Sequence, residues 1–233
     1  LEGNVRIADF GLARIARGDT PPELLTRTTQ VLGTPHYISP EQARGVRHLG
    51  PPSDIYSFGV MLFELIVGHI ATLQGGGSID IGKKVVIDTT ERYEVDVFCV
   101  TPETVRLIEC KGYAPTHRVD AEELEAWIRT KARRLNKHFR AQETLQNRIF
   151  SFEFWTSGGF TKEALQLAET VSNETKRYSV KLVAGPDVRS LITNVNAKGL
   201  GKVFDEHYAK PPITKAERKF EALEDFGSVL EEL

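Results

Sequence analysis

The sequence predicts an α/β protein, a mixed-sheet layer domain preceded by a shorter, mainly helical segment. From Lys83 onward the apolar periodicity gives strand, strand, strand, helix, strand, helix, strand, helix. Early hairpins in such an order are antiparallel and later crossovers parallel, so the sheet is mixed. A second observation is the stretch "SDIYSFGVMLFELIVG", apolar on nearly every helical face, which requires other elements around it. Length is the third: 233 residues, 40% hydrophobic, suffice for one sizeable core plus a smaller piece, or for two small domains.

Taken in order, "NVRIADFG" alternates like a short strand, and a polar loop rich in Thr, Arg and Pro follows to about Arg47. The apolar helix then opens at Ser53 or Asp54, natural N-caps, and is expected to stop at Gly68. The run Gly75-Gly76-Gly77-Ser78 reads as a flexible joint. Strands are predicted at about 84–90, 93–101 and 104–112, then a long helical region from Asp120 to Arg148. "RIFSFEFWT" is a further strand, and "SGG" turns the chain into a helix capped by Thr161 with Glu163 in its first turn. "YSVKLVAG" is a strand, and a helix opens at Pro186 or Asp187. Beyond Lys210 the chain turns acidic and reads as a peripheral helix or tail.

A net charge of −2 argues against a globally basic nucleic-acid coat, so any DNA contact must come from a local patch. Cys99 and Cys110 lie inside apolar strand patterns, the place of buried reduced thiols in a cytoplasmic protein rather than of disulfides or a metal site. No signal-peptide pattern opens the chain, and "IYSFGVMLFELIV", which contains Glu64, is expected to be too short to span a bilayer. With Leu1 first and Met61 the sole methionine, the residues read as part of a longer protein.

Residues 5–68 resemble the bacterial eukaryotic-like Ser/Thr protein kinases, because several motifs arrive in the family's order: "DFG" at 9–11, "GTPHYISPEQARG" at 33–45 and "SDIYSFGVMLFEL" at 53–65. The resemblance implies that Asp9 binds magnesium beside ATP and that Thr34 to Glu41 form the substrate-docking end of the activation segment. "SPE", Ser39 to Glu41, stands where the family has "APE", and Thr26, Thr28 and Thr29 stand where activation-loop phosphorylation is expected. Asp54 corresponds to the family's anchor for the catalytic loop. The Gly-rich lid, the phosphate lysine, its glutamate and the HRD-type loop all belong before Asp9, where only "LEGNVRIA" stands. The kinase-type ATP site is therefore incomplete here, and no kinase activity is expected of this chain alone; ATP is a cofactor only in a complete kinase parent.

A second chemistry is suggested by "YEVDVFCVTPETVRLIECKGY", Tyr93 to Tyr113. Strict alternation places Glu94, Asp96 and Phe98 on one face and Val95, Val97 and Cys99 on the other; in the next strand Val105, Leu107, Glu109 and Lys111 share a face. A hairpin at "TPE" brings Asp96 towards Glu109 and Lys111, and paired carboxylates repel unless a cation such as Mg²⁺ or Mn²⁺ lies between them. Such an ion activates water, and Lys111 can orient that water. The bland alternative is a solvated salt-bridge cluster.

This arrangement resembles the PD-(D/E)XK nuclease superfamily, and the downstream "TSGGFTKEALQLAE…YSVKLVAGPDVRSLI" resembles Mrr-type restriction endonucleases, over roughly 83–195. The resemblance implies a restriction-endonuclease-like core, catalytic Asp96, Glu109 and Lys111, and a metal held by Asp96, Glu109 and the Cys110 carbonyl. It also implies a helix before the first strand, often carrying a further acid; that position falls here either to the apolar helix, with Glu64 as the candidate surrogate, or to nothing.

DNA is the expected partner, contacted through Arg129, Lys131, Arg133, Arg134, Lys137 and Arg140, a run without an intervening acid. The alternative is a solvated helix offsetting the acidic "DAEELEA". Trp127 and Trp155 read as core, and nothing indicates an oligomer. The expected organisation is a kinase-like segment at 1–70, a Gly-rich linker at 71–82, a nuclease-like domain at 83–210 and an acidic tail at 211–233. The leading functional expectation is a metal-dependent DNA endonuclease of restriction or defence type. Its alternatives are a fragment of a Ser/Thr kinase whose activity belongs to the longer parent, and a DNA-binding module with a degenerate nuclease site.

Overall fold

The computed structural model describes residues 37–44, 50–75, 77–88, 91–175 and 178–209. Asp9, the threonines at 26, 28 and 29, and the acidic tail at 211–233 lie outside the described residues. The chain divides into two compact units, 1–58 and 59–233.

In the first unit a four-residue helix α1 (Pro40–Ala43) opens with a complete capping box, Ser39 Oγ accepting from the Gln42 N–H and the Gln42 side chain accepting from the Ser39 N–H. Ser53 donates to the Glu41 carboxylate, and Ser57 donates to the Tyr37 carbonyl. Helix α2 (Pro51–Gly75) begins in this unit. It does not stop at Gly68, as sequence suggests, because that glycine is a packing position: a Cβ there would lie 2.7 Å from Ile81 Cδ1. The helix continues to Gly75, through residues expected to be linker.

The second unit is a five-stranded mixed sheet in the order β1-β2-β3-β5-β7. Its strands are β1 (Ser78–Val86), β2 (Arg92–Val100), β3 (Thr104–Lys111), β5 (Ile149–Thr156) and β7 (Tyr178–Val183). The first two pairings are antiparallel and the last two parallel, the mixed arrangement the element order predicts. The first strand starts at Ser78 rather than near residue 84, because Gly77, at φ +96°, makes the turn that the glycine run marked as a joint. A two-stranded piece pairs β4 (Arg118–Val119) with β6 (Gly159–Phe160).

One face of the sheet is covered by α3 (Ala121–Trp127), a π-helical turn (Ile128–Ala132) and α4 (Arg133–Arg140), together with α5 (Lys162–Thr175). The predicted helix 120–148 thus contains a π-helical turn and ends at Arg140. Asp120 caps α3 by accepting from the Glu123 N–H, and Thr161 caps α5 by accepting from the Ala164 N–H.

The other face is covered by α2 with α6 (Gly185–Asn194) and α7 (Lys198–Phe204). Phe63, Ile66, Val67, Ile70 and Ala71 of α2 are buried against Val97, Ile108 and Trp155. The apolar helix is therefore covered as expected, but along one side only: Met61, Leu65 and Leu73 remain about half exposed. The whole of α2, 25 residues with an 18-residue window of mean hydropathy 1.6, is long and apolar enough to cross a membrane by length and composition alone, a test that a core helix also passes, and one side of this helix packs on the sheet. Cys99 and Cys110 are buried free thiols and Trp155 is fully buried, as read from sequence.

Burial of α2 in the sheet makes a testable difference between its faces. Phe63→Ala should destabilise the protein by about 3–5 kcal/mol and Ile66→Ala by about 2–5 kcal/mol, whereas Leu65→Ala should stay within about 0.5 kcal/mol. Denaturant titration of the three variants measures this, and equal, small losses would show that α2 is not part of the α/β core.

Candidate functional site

The strand ladder between β1 and β2 passes from Ile81↔Val97 to Lys83↔Val95, omitting Gly82 and Asp96. Gly82 has φ +66°, a left-handed conformation that a residue without Cβ adopts freely. Facing assignments change at this point. Val97 joins the α2 side, whereas Val95 and Phe98 both pack on the α3–α5 side. Strict alternation through Asp96, which places Val95 with Val97, is thereby corrected.

Beside the break, β2 and β3 pair only from Val97↔Ile108 to Val100↔Val105. β3 runs on to Lys111 alongside β5. Its Cys110 N–H thus lacks a backbone acceptor on β2, and Asp96 Oδ2 accepts from it at 2.7 Å. Asp96 replaces a strand with a side chain.

Glu109 shares a face with Val105 and Leu107, as predicted, and that face is the one covered by α3; its carboxylate is gripped from three directions. Lys111 Nζ is 2.7 Å from Oε1, Trp127 Nε1 donates to Oε2 at 3.3 Å, and Lys131 Nζ donates a short bond to Oε2. The same Lys131 ammonium is 3.9 Å from Asp96 Oδ1. Asp96, Glu109 and Lys111 therefore converge as the sequence suggests, and Lys131 completes the group. Lys131 was expected on the exposed basic surface; instead it projects inward from the π-helical turn and is 9% exposed. Nothing in the residue pattern marks a π-helical turn, which shifts the helical facing by one residue.

The electrostatics of the two carboxylates diverge. Burial pushes the Asp96 carboxyl up to about 7, helped by the negative Glu109 and opposed by Lys131, Lys111 and the Cys110 N–H. Burial also acts against the Glu109 charge, but Lys131 and Lys111 outweigh it and hold Glu109 down at about 2. Burial opposes the Lys111 charge too, yet Glu109 and Asp96 hold its pKa above the ordinary lysine value. The group amounts to one ionised carboxylate between two ammoniums, and a second carboxyl that takes up a proton near neutrality. Asp96 Oδ1 is buried without a hydrogen-bond partner. Glu64 of α2 is also buried, and its charge, with those of Asp96 and Glu109, adds to the burial that raises the Cys110 thiol.

Three of the remaining basic residues are engaged within the chain. Arg129 pairs with Glu125, Arg134 pairs with Glu91, and Arg140 lies over the Phe150 ring at 4.7 Å and donates to the Gln146 carbonyl. Arg133 and Lys137 are exposed. Among the described residues no three His, Cys, Asp or Glu side chains are placed to hold a metal ion. The cation that the carboxylate pair calls for is an ammonium of the chain itself.

A family model described as the protein kinase domain matches residues 1–181. The chain is 40% identical over 150 residues to the serine/threonine-protein kinase PrkC of Bacillus subtilis, which covers 60% of this chain and 22% of that protein. It is 34% identical over 109 residues to the kinase PknL of Mycobacterium tuberculosis, covering 47% of this chain and 26% of the relative. Against the probable kinase PknB of Lactococcus lactis the identity is 43% over 82 residues, covering 35% and 12%. The chain thus spans about a quarter or less of the length of these curated relatives. Among solved structures, the protein of unknown function AF1548 aligns with a TM-score of 0.42 and 17% identity over 59% of this chain and 67% of that one, too low to carry an argument. These matches overturn the expectation of a metal-dependent DNA endonuclease. The family match extends over the strands that carry Asp96, Glu109 and Lys111, and the relatives are Ser/Thr kinases.

The raised Asp96 carboxyl makes stability depend on pH in a defined direction. Its folded pKa, about 7, lies above the ordinary 3.8, so the folded state holds the proton more tightly and stability falls as pH rises through that window. Relative to Asp96→Asn, the wild type should lose at most about 4 kcal/mol between the two pH limits. Parallel stability–pH curves for the two proteins would contradict the placement of Asp96.

Proposed function

We propose, because this chain belongs to the protein kinase domain family, that it is the activation-segment and following-helix portion of a Ser/Thr protein kinase, continued into an α/β unit. The transfer of a phosphoryl group from ATP to a protein hydroxyl belongs to the longer parent. The observation that carries this reading is the kinase family match over residues 1–181, which includes the ordered motifs "DFG", "GTPHYISPEQARG" and "SDIYSFGVMLFEL". Local geometry supports it. Glu41, at the end of the substrate-docking stretch, is held by the Ser53 hydroxyl at the start of α2, and Ser57 holds the Tyr37 carbonyl. Side chains on one helix thereby fix the backbone that would present a substrate hydroxyl.

ATP and a divalent metal supply the phosphoryl group and its charge neutralisation in such enzymes. Among the described residues no three His, Cys, Asp or Glu side chains are placed to hold a metal ion, and Asp9, to which the family resemblance assigns the magnesium, lies outside them. The described residues contribute positioning of the docking segment, through Ser53 on Glu41 and Ser57 on the Tyr37 carbonyl. For the α/β unit we propose a restriction-endonuclease-like topology without cleavage chemistry, on the strength of its β1-β2-β3-β5-β7 order.

Labelled ATP, magnesium and a generic protein substrate test the assignment. The full-length parent should transfer label, its Asp9→Asn variant should lose at least about a hundredfold in rate, and the 233-residue chain alone should transfer none. A parent that transfers no label, or an Asp9→Asn variant as active as wild type, would refute it.

A further inference from the structure

Met61, Leu65, His69 and Leu73 follow one another at every fourth residue along the outer side of α2. All four are exposed, the three apolar ones by 46%, 50% and 49%. Residues four apart stand in one row on a helix, so they make a continuous, mostly apolar ridge about 18 Å long. On the inner side of the same turns Phe63, Ile66, Val67 and Ile70 are almost fully buried against the sheet. The helix is thus apolar on both sides, and the described residues leave the outer ridge half open.

The described residues end at Ala209, beside this helix. Tyr208 packs its ring on Phe63, with centroids 5.2 Å apart, and donates its hydroxyl to the Gly59 carbonyl. The chain goes on through residues 210–233, whose sequence carries a helical period. At about 100° per residue Leu223, Phe226, Val229, Leu230 and Leu233 fall on one side, and Glu221, Glu224, Asp225, Glu231 and Glu232 on the opposite side. The link before them, "KPPITK" at 210–215, has two prolines that cannot continue a helix from Ala209. Six residues reach up to about 20 Å, enough to pass from Phe63 to the ridge on the outer side of the same helix.

We propose that residues 216–233 form a helix whose apolar face covers the Met61–Leu65–Leu73 ridge of the same chain, with its acidic face towards solvent. Phe220, Leu223, Phe226 and Val229 are three apart and make a row of their own. Rows of threes on one helix fit between rows of fours on another at a crossing of about 20°, which keeps the two helices in contact along their length. The lengths agree, since Phe220 to Leu233 spans about 20 Å as a helix. An isolated helix of this size containing Gly227 is marginal in water, so its order depends on the docking. The inference does not rest on the kinase assignment or on the Asp96–Glu109 cluster.

Amide hydrogen exchange of the full chain tests the proposal. Amides of residues 218–232 should exchange at least about tenfold more slowly than in an unstructured chain, and equally so at low and high protein concentration. Met61→Asp combined with Leu73→Asp should return them to unstructured rates while β2 and β3 keep their protection. Undocking is a local opening below global unfolding, so it is read from the tail's own amides and not from the denaturant midpoint of the core. A second readout puts no charge on α2. Cys99 and Cys110 are buried, so a thiol introduced by Leu65→Cys is the one that iodoacetamide reaches. Its alkylation should speed up at least about fivefold when Leu223→Asp and Phe226→Asp are added to the tail. Unstructured rates for 218–232 in the wild type would overturn the proposal, as would protection that grows with concentration, which a second copy's tail would give. So would tail protection that survives the Met61 and Leu73 changes, or an alkylation rate indifferent to the tail changes; the last decides the matter even if the charged α2 variant does not fold.

Discussion

Two carboxylates buried where β2 and β3 part company set the constraint from which much of the α/β unit follows. Asp96 and Glu109 are 2% and 5% exposed, and a buried carboxylate is tolerated only when paired and hydrogen-bonded or when it takes up a proton. Each device is used once. Glu109 stays ionised because Lys111 reaches it along its own strand and Lys131 reaches it from the helix above. Asp96 donates no strand but fills one, accepting from Cys110 N–H, and burial moves its titration to near neutrality. For Lys131 to reach both, the helix must turn its facing by a residue, and the π-helical turn at Ile128–Ala132 does so. A hydrophobic frame then holds the ammonium in place: Leu124, Ile128, Ala132 and Leu135 are almost fully buried on either side of it.

The opposite face of the sheet is covered by α2 with α6 and α7. The later turns of α2 pack across the sheet. Its apolar circumference reads as a demand for partners all round, and the sheet meets that demand on one side with Val97, Ile108 and Trp155. The buried Glu64 is the exception on that face. It lies close enough to Cys110 and Tyr208 for its charge to add to the burial that raises both groups.

Element types were largely legible in the sequence because burial enforces them: β3 and β5 bury Val105, Leu107, Ile108, Phe150, Phe152 and Phe154, and Asp120 and Thr161 are caps with the residues their positions require. Convergence of Asp96, Glu109 and Lys111 was legible for the same reason, since adjacent strands and a short hairpin leave little freedom. Three features were not. The end of α2 was hidden because Gly68 is a close approach to Ile81 rather than a cap. The facing change at Gly82 and Asp96 breaks the period of two on which strand reading rests. Lys131 was lost in a run of basic residues because only the π-helical turn distinguishes it from Arg129 and Arg133. Once its ammonium is counted, the carboxylate pair no longer calls for an external ion, and the phosphodiesterase chemistry inferred from the pair loses its physical motive.

The central claim is that Lys131 is the buried counter-charge of Glu109 and Asp96 rather than a free surface cation. A double-mutant cycle on stability with Lys131→Met, Glu109→Gln and the pair tests it most directly. Each single variant should destabilise by about 3–5 kcal/mol, because a buried charge is left uncompensated, and the double variant should recover at least about 2 kcal/mol of coupling. A coupling below about 0.5 kcal/mol, the value typical of solvent-exposed pairs, would contradict the account.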